Sequence, residues 1–351
     1  MSYARPADRA GALRLHLNEN TGGCSQAVIE AIRQITAEDV AYYPDYSALS
    51  KECAEYLGVR EAQLVLTNGL DEGLLAATVT CFRGMQGSRE APEAPEAIVP
   101  MPAFEMYSVF VKAAGGHMVS IPPKPGFEFA LREIREALTD RTRIVFLTSP
   151  NNPTGQVIPR EALRDIARSV PPAVTVVLDE AYYDFCGETF LPELDAHPNV
   201  LIGRTFAKAH GLAGLRAGCL IGDPDRLNVI RDAVPPYSLS VFAAAGWRAA
   251  LRDREYLNWY RTQVDESKEL VYSACERLGL QYWKSAGNFV LINVSRVGDP
   301  GEMVDALATR GILVRDRSRD PGCQGCVRIT AGLVRHTEIV IEALEGLCAA
   351  P

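Results

Sequence analysis

The stretch RTFAKAHGLAGLRAG, residues 204–218, sets Lys208 among small and apolar neighbours at the end of a strand-like run. An amine in such a place can be desolvated, which lowers its pKa from an ordinary ~10.4 and frees a lone pair to attack a carbonyl carbon. Thr205, three residues before, and Arg216, eight after, offer a hydroxyl and a rigid guanidinium fork suited to a dianionic phosphate. In LDEAYYDF (178–185) a hydrophobic strand delivers Asp179 to its tip, where a carboxylate is costly unless a cation such as a protonated ring nitrogen meets it. Tyr182 can present its hydroxyl to the same ring. In SPNNPTGQ (149–156) the amide of Asn152 can donate to a phenolic oxygen, while Pro153 fixes the backbone direction. In LTNGLDEG (66–73) Gly69 allows a tight turn, and a helix starting near Leu70 offers free N–H groups and the positive end of its dipole, a cradle for phosphate. Each feature has a plain alternative: a solvated lysine, a turn-capping aspartate, an ordinary loop.

These residues must be held by something rigid. LVLTN (64–68) precedes the helical pattern DEGLLAATVTCF, RIVFLTSP (143–150) precedes a helical stretch at 160–169, and TVVLDEAY (175–182) and NVLIGRTF (199–206) follow. That alternation predicts an α/β fold with a doubly wound, mostly parallel central sheet covered by helices, and the chemistry-bearing residues fall at the strands' carboxyl ends, where such sheets form sites. From about Ser240 the texture changes to long amphipathic helix, through Tyr256 to Leu278, then strand-like FVLINV (289–294) and a closing α/β unit up to Cys348. The expected division is an N-terminal segment 1–40 packing with the small domain, a large domain over 41–255, and a smaller C-terminal domain over 256–351. SREAPEAPEAIVP (88–100), rich in Pro and Glu, reads as a mobile surface loop without assigned function.

With 351 residues, 47% of them hydrophobic, the chain can bury a large core. A net charge of −8 with interspersed signs supplies no basic stripe and argues against nucleic acid, and no apolar run is long enough for a membrane span, so a soluble cytoplasmic protein is expected. Nine scattered cysteines fit reduced thiols; Cys323 and Cys326 form a CxxC with no second pair, and read as two loop thiols rather than a metal site. His210 reads as a packing residue.

In this order the motifs resemble the fold-type I enzymes that use pyridoxal phosphate (PLP), specifically the class I/II aminotransferases, and within them the histidinol-phosphate branch. The resemblance runs from LHLNEN (15–20) and YYPDYSAL (42–49) through TNGLDE, SPNNPTG, LDEAY and the lysine stretch to VRD (314–316) and VRITAG (327–332). It implies that Lys208 bonds covalently to the PLP aldehyde and later moves a proton at the substrate, that Asp179 pairs with the pyridine nitrogen, and that Asn152 and Tyr182 hold the phenolic oxygen. Phe104 in PAFEMY would stack on the ring. Gly69, Leu70, Asp71, Thr205 and Arg216 would hold the cofactor phosphate, joined by Tyr43 from a neighbouring subunit, which implies a homodimer with shared sites. Asn20 and Arg328 would meet the substrate, Arg328 gripping a carboxylate in bidentate fashion, and Arg315 would hold a substrate phosphate.

The implied reaction takes an amine from a donor such as glutamate and gives it to an oxo acid or oxo phosphate in a ping-pong cycle. Related readings are an aromatic or other amino-acid aminotransferase and a decarboxylase of the threonine-phosphate type. A ligand-sensing regulator would need a winged DNA-binding domain before motifs that already begin at residue 15. The chain departs from the family pattern in LNENTGG, which lacks a proline, at Ala207 where serine is common, in PPYSLS (235–240), which lacks an asparagine, and at Leu333 where threonine is usual.

Overall fold

The four strand-like runs that end in candidate site residues lie in one sheet, three of them side by side. The computed structural model describes residues 11–83 and 94–348. After β1 (Leu13–Arg14) come β2 (Leu64–Asn68), β3 (Glu96–Pro100), β4 (His117–Ile121), β5 (Thr142–Thr148), β6 (Thr175–Asp179), β7 (Val200–Thr205) and β8 (Ala217–Gly222), and β2 to β8 form a seven-stranded sheet in the order β2-β8-β7-β6-β5-β3-β4. The pairs from β4 to β7 are parallel, while β8 runs antiparallel to both β7 and β2.

Both faces of this sheet are buried, which explains why its strands read as continuous apolar runs. Val145, Leu147, Val176 and Leu178 point into one core with Leu163 and Ile166 of the helix Arg160–Ser169 and with Trp247. Their neighbours Ile144, Phe146 and Val177 point into the other, against Leu70, Leu74 and Ala77 of the helix Gly69–Phe82. Each such side chain contributes about 1.5–3 kcal/mol on burial, and the register then fixes which polar residue ends each strand. Thr148 of β5 stands beside Asp179 of β6, and Asp179 beside Gly203 of β7.

Residues 96–100, expected in a surface loop, are instead β3, an interior strand with Ala97, Ile98 and Val99 fully buried. The Pro- and Glu-rich composition before them concealed a short apolar strand whose Glu96 is ion-paired with Arg141; residues 88–93 lie outside the described residues.

The later part of the chain builds β9 (Gln281–Trp283), β10 (Phe289–Asn293), β11 (Ile312–Leu313), β12 (Arg315–Asp316) and β13 (Cys326–Thr330); β12-β13-β10-β9 form an antiparallel sheet. The helix Arg254–Leu278 is capped by Asp253, whose carboxylate accepts the Tyr256 N–H, and ends at Gly279 in a left-handed conformation, φ 63°. Cys326 opens β13 rather than lying in a loop, and both it and Cys323 are buried. β1 pairs in parallel with β11, whereas the helix Gln26–Arg33 packs on the helix Val241–Arg252, so residues 11–40 touch elements on both sides of residue 255. Among the described residues no helix is long and apolar enough to cross a membrane.

Candidate active site

Asp179 ends β6 almost fully buried, and its Oδ1 accepts the Ala181 N–H at 3.0 Å while Oδ2 accepts the Tyr107 hydroxyl at 2.7 Å. Burial nevertheless pushes its pKa up to about 6, with the bonds from Tyr107 and Ala181, and then the charge of Lys208, pulling it back down. A carboxylate has about four acceptor positions, and two are used here. It is poised to receive a further donor, best of all a cationic one.

Lys208 follows β7. Its Nζ donates to the carbonyl of Leu17 at 3.0 Å, and burial, together with the charge of Arg328, lowers its pKa to about 8. At pH 7 that leaves about a tenth of the amine unprotonated, against about one part in three thousand for an unperturbed lysine. Nucleophilic reaction with an aldehyde becomes practical.

The cradle expected at Gly69 is built from a close approach of two segments. The Gly69 N–H donates to the Arg216 carbonyl at 2.7 Å, and Gly69 adopts φ 74°. A Cβ on Gly69 would sit 2.3 Å from Arg216 Nη2, and one on Gly218 would sit 2.4 Å from the Leu70 nitrogen. Arg216 reaches the helix start, where its Nη2 pairs with Asp71 Oδ2 at 2.9 Å. Thr205 lies alongside, its Oγ1 accepting the Ala207 N–H at 3.2 Å.

Tyr182 is buried and its hydroxyl accepts from Asn18 Nδ2 at 2.9 Å, which leaves the phenolic proton free to donate. Desolvation raises its pKa, so that proton stays in place. Asn152 uses its Oδ1 to accept from Arg328 Nη1, which leaves its NH2 group to donate in turn. Arg328 is buried on β13, bonded also to the His16 carbonyl at 2.6 Å, and pairs across the strands with Arg315 of β12. Burial and the neighbouring charge of Arg317 disfavour its positive charge, which an arriving anion would relieve.

The structure thus brings Lys208, Asp179, Tyr182, Asn152 and Arg328 together, through the Arg328–Asn152 bond and the charges that Lys208, Asp179, Tyr182 and Arg328 exert on one another, with Arg216 reaching Gly69 and Asp71 at the start of the helix Gly69–Phe82. Phe104 stands edge-on to Tyr107, ring centroids 5.7 Å apart. Asn20, expected to meet substrate, is bonded to backbone at both ends of its amide, to the Ala209 carbonyl and the Gly22 N–H, and so shapes the loop after Lys208. Tyr43 is 78% exposed and stacked on Tyr237 at the surface. His210 is packed against Tyr56 and Phe206.

Three residues at this site were not singled out by sequence. Tyr107 stood three positions after Phe104, a helical spacing that shares a face; Asn18 stood inside LHLNEN; Arg317 stood two after Arg315, on the same face of an extended chain.

The residues fit the chemistry of PLP on four counts: a depressed lysine amine for the aldehyde, a buried carboxylate with spare acceptor positions for the ring nitrogen, two free donors for the ring oxygen, and a Gly-lined helix start with an arginine for the phosphate. Fold and cleft together define a fold-type I aminotransferase. A family model described as aminotransferase class I and II matches residues 10–344, and the chain belongs to that family, whose members use PLP. The chain is 35% identical over 341 residues to histidinol-phosphate aminotransferase of Anoxybacillus flavithermus, covering 95% of this chain and 88% of that protein. It is 32% identical to the Moorella thermoacetica protein of the same name, covering 96% and 86%. The crystal structure of histidinol-phosphate aminotransferase from Sinorhizobium meliloti in complex with PLP superposes with a TM-score of 0.83 at 28% identity, covering 96% of this chain and 90% of that one.

Proposed function

We propose that this enzyme is a histidinol-phosphate aminotransferase, exchanging the amine of histidinol phosphate with the oxo group of 2-oxoglutarate to give imidazole-acetol phosphate and glutamate. The observation that carries this reading is the antiparallel pairing of Arg315 with the buried Arg328, whose charge acts on Lys208. Arg328 would grip the α-carboxylate of glutamate, and Arg315 would hold the phosphate of histidinol phosphate. The full-length similarity to proteins of that name supports the same substrate.

When bound, PLP supplies an electron sink conjugated with the substrate's Cα. Lys208 would hold its aldehyde through the amine and, once released, move a proton at Cα as base and then acid. Asp179, oriented by Tyr107 and the Ala181 N–H, would keep the ring nitrogen protonated. Tyr182 and Asn152 would donate to the ring oxygen, Phe104 would cover the ring, and Gly69, Leu70, Asp71, Thr205 and Arg216 would hold the phosphate. Tyr43 would reach that phosphate in a neighbouring subunit of a homodimer. Its exposure beside exposed Val40, Tyr42 and Tyr237 supports such a contact. Nine unbridged cysteines support a cytoplasmic location.

Steady-state rates with 2-oxoglutarate and either histidinol phosphate, phenylalanine or phosphothreonine test the reading. Charge-assisted contacts of about 1.5–3 kcal/mol each put histidinol phosphate at least about tenfold ahead of phenylalanine in kcat/KM. Faster turnover of phenylalanine, or carbon dioxide release from phosphothreonine without an acceptor, would refute it.

A further inference from the structure

Arg315 and Arg317 already hold a carboxylate of this chain. Glu105, one residue after Phe104 at the start of the helix Met106–Ala113, bridges them: its Oε1 accepts from Arg317 Nη1 at 2.9 Å and lies 3.3 Å from Arg315 Nη2. The three side chains differ sharply in freedom. Arg317 is 5% exposed, Arg315 21% and Glu105 36%. Arg317 is also fixed by Asp320 through its other nitrogen, yet its buried Nε–H has no acceptor, and the same is true of Nε in Arg328. Arg317 and Arg328 therefore carry guanidinium donors that the protein itself leaves unmatched, a costly state for buried polar groups.

We infer that Glu105 is a resident stand-in for the substrate's distal anion, and that Arg317 together with Arg315 forms the subsite that a phosphate occupies once Glu105 swings out to water. The exposures decide which partner leaves, since a carboxylate already one-third exposed rehydrates easily while an arginine buried between two acids cannot. Magnitudes point the same way. A partly exposed ion pair is worth up to about 1 kcal/mol, or about fivefold, whereas charge-assisted contacts to a dianion are worth about 1.5–3 kcal/mol each, or about 10- to 150-fold. Displacement by a phosphate is favourable, and displacement by a neutral side chain is not. Because Glu105 is anchored in the seven-stranded sheet's layer and the arginines at the four-stranded sheet, the arriving anion also takes over the bridge between them.

This inference rests on the reading of the cleft as the substrate site, and its test is independent of turnover. Methyl phosphate at pH 8, where it is a dianion, is titrated calorimetrically into the PLP-loaded enzyme, whose cofactor already fills the other phosphate cradle. Glu105→Gln is expected to tighten binding about two- to fivefold, because a competitor is removed. Arg317→Gln is expected to weaken it about tenfold or more, and Arg317→Lys, which keeps the charge that Glu105 and Asp320 require, to weaken it less. The sign of the Glu105→Gln effect is diagnostic, since removing a merely structural bridge loosens a site. Unchanged or weaker binding in Glu105→Gln, or wild-type binding in both Arg317 variants, overturns the proposal. Should the affinities shift as expected while histidinol phosphate is not turned over, the anion subsite stands and the substrate assignment falls.

Discussion

The hydroxyl of Tyr107 lies 2.7 Å from both Asp179 Oδ2 and Thr148 Oγ1, so a residue from a helix orients the carboxylate at the end of the neighbouring strand. Tyr107→Phe removes one of the two donors to the ionised carboxyl, whose pKa then climbs above about 6. The ring nitrogen of PLP loses a well-aimed anion. The expected result is cofactor affinity about tenfold weaker, from a charge-assisted bond of about 1.5 kcal/mol, with Asp179→Ala weaker still. Fluorescence titration of the apoenzyme with PLP measures both, and an unchanged affinity in Tyr107→Phe would show that Asp179 needs no such partner.

Lys208 links the site to stability. Its folded pKa of about 8 lies below the 10.5 of an unperturbed amine, so between those values the unfolded chain binds more protons than the folded one. Below pH 8 the fold bears the full cost of a charged amine in a poorly solvated place, and as pH rises from 8 to 10.5 that cost fades. Lys208→Met should therefore make the apoenzyme more stable at pH 7 by about 2 kcal/mol after allowance for the lysine's partial exposure, and no more stable near pH 10.5. Urea midpoints at the two pH values decide it. The same variant should show neither the visible absorbance of bound cofactor nor transamination.

Gly69→Ala tests the phosphate cradle. Its Cβ would meet Arg216 Nη2 at 2.3 Å, and the residue would be held at φ 74°. The left-handed conformation alone costs about 1 kcal/mol, and Arg216 must also move from the helix start. PLP affinity should fall more than about tenfold, with a smaller loss of melting temperature; a drop in stability with full affinity would mean that the arginine does not serve the phosphate.

Four strands of the seven-stranded sheet, β2, β5, β6 and β7, were legible because apolar β-branched runs are local signals, and Asp179 and Thr205 announced themselves by ending such runs, with Lys208 three residues beyond the last. β3 was hidden by its neighbours' composition, and β8, AGCLIG, by small residues that carry little strand preference. Lys208 and Leu17 touch across 191 positions, Arg317 and Glu105 across 212, Arg328 and His16 across 312. Nothing in a local pattern marks such pairs. Residue types suggested what the cleft would do to a ligand, while the bonds by which the protein satisfies itself, Glu105 to two arginines and Asn20 to backbone, emerged only with the chain folded.

Leu15 is stitched on both sides, its N–H to the Leu313 carbonyl at 2.8 Å and its carbonyl to the Thr330 N–H at 2.9 Å, and the Leu17 carbonyl two residues on receives the Lys208 amine. The ribosome makes this segment before the strands that clasp it. Translation therefore delivers the Leu17 acceptor early, the Lys208 nucleophile next, and only then the strands that hold the acceptor in place.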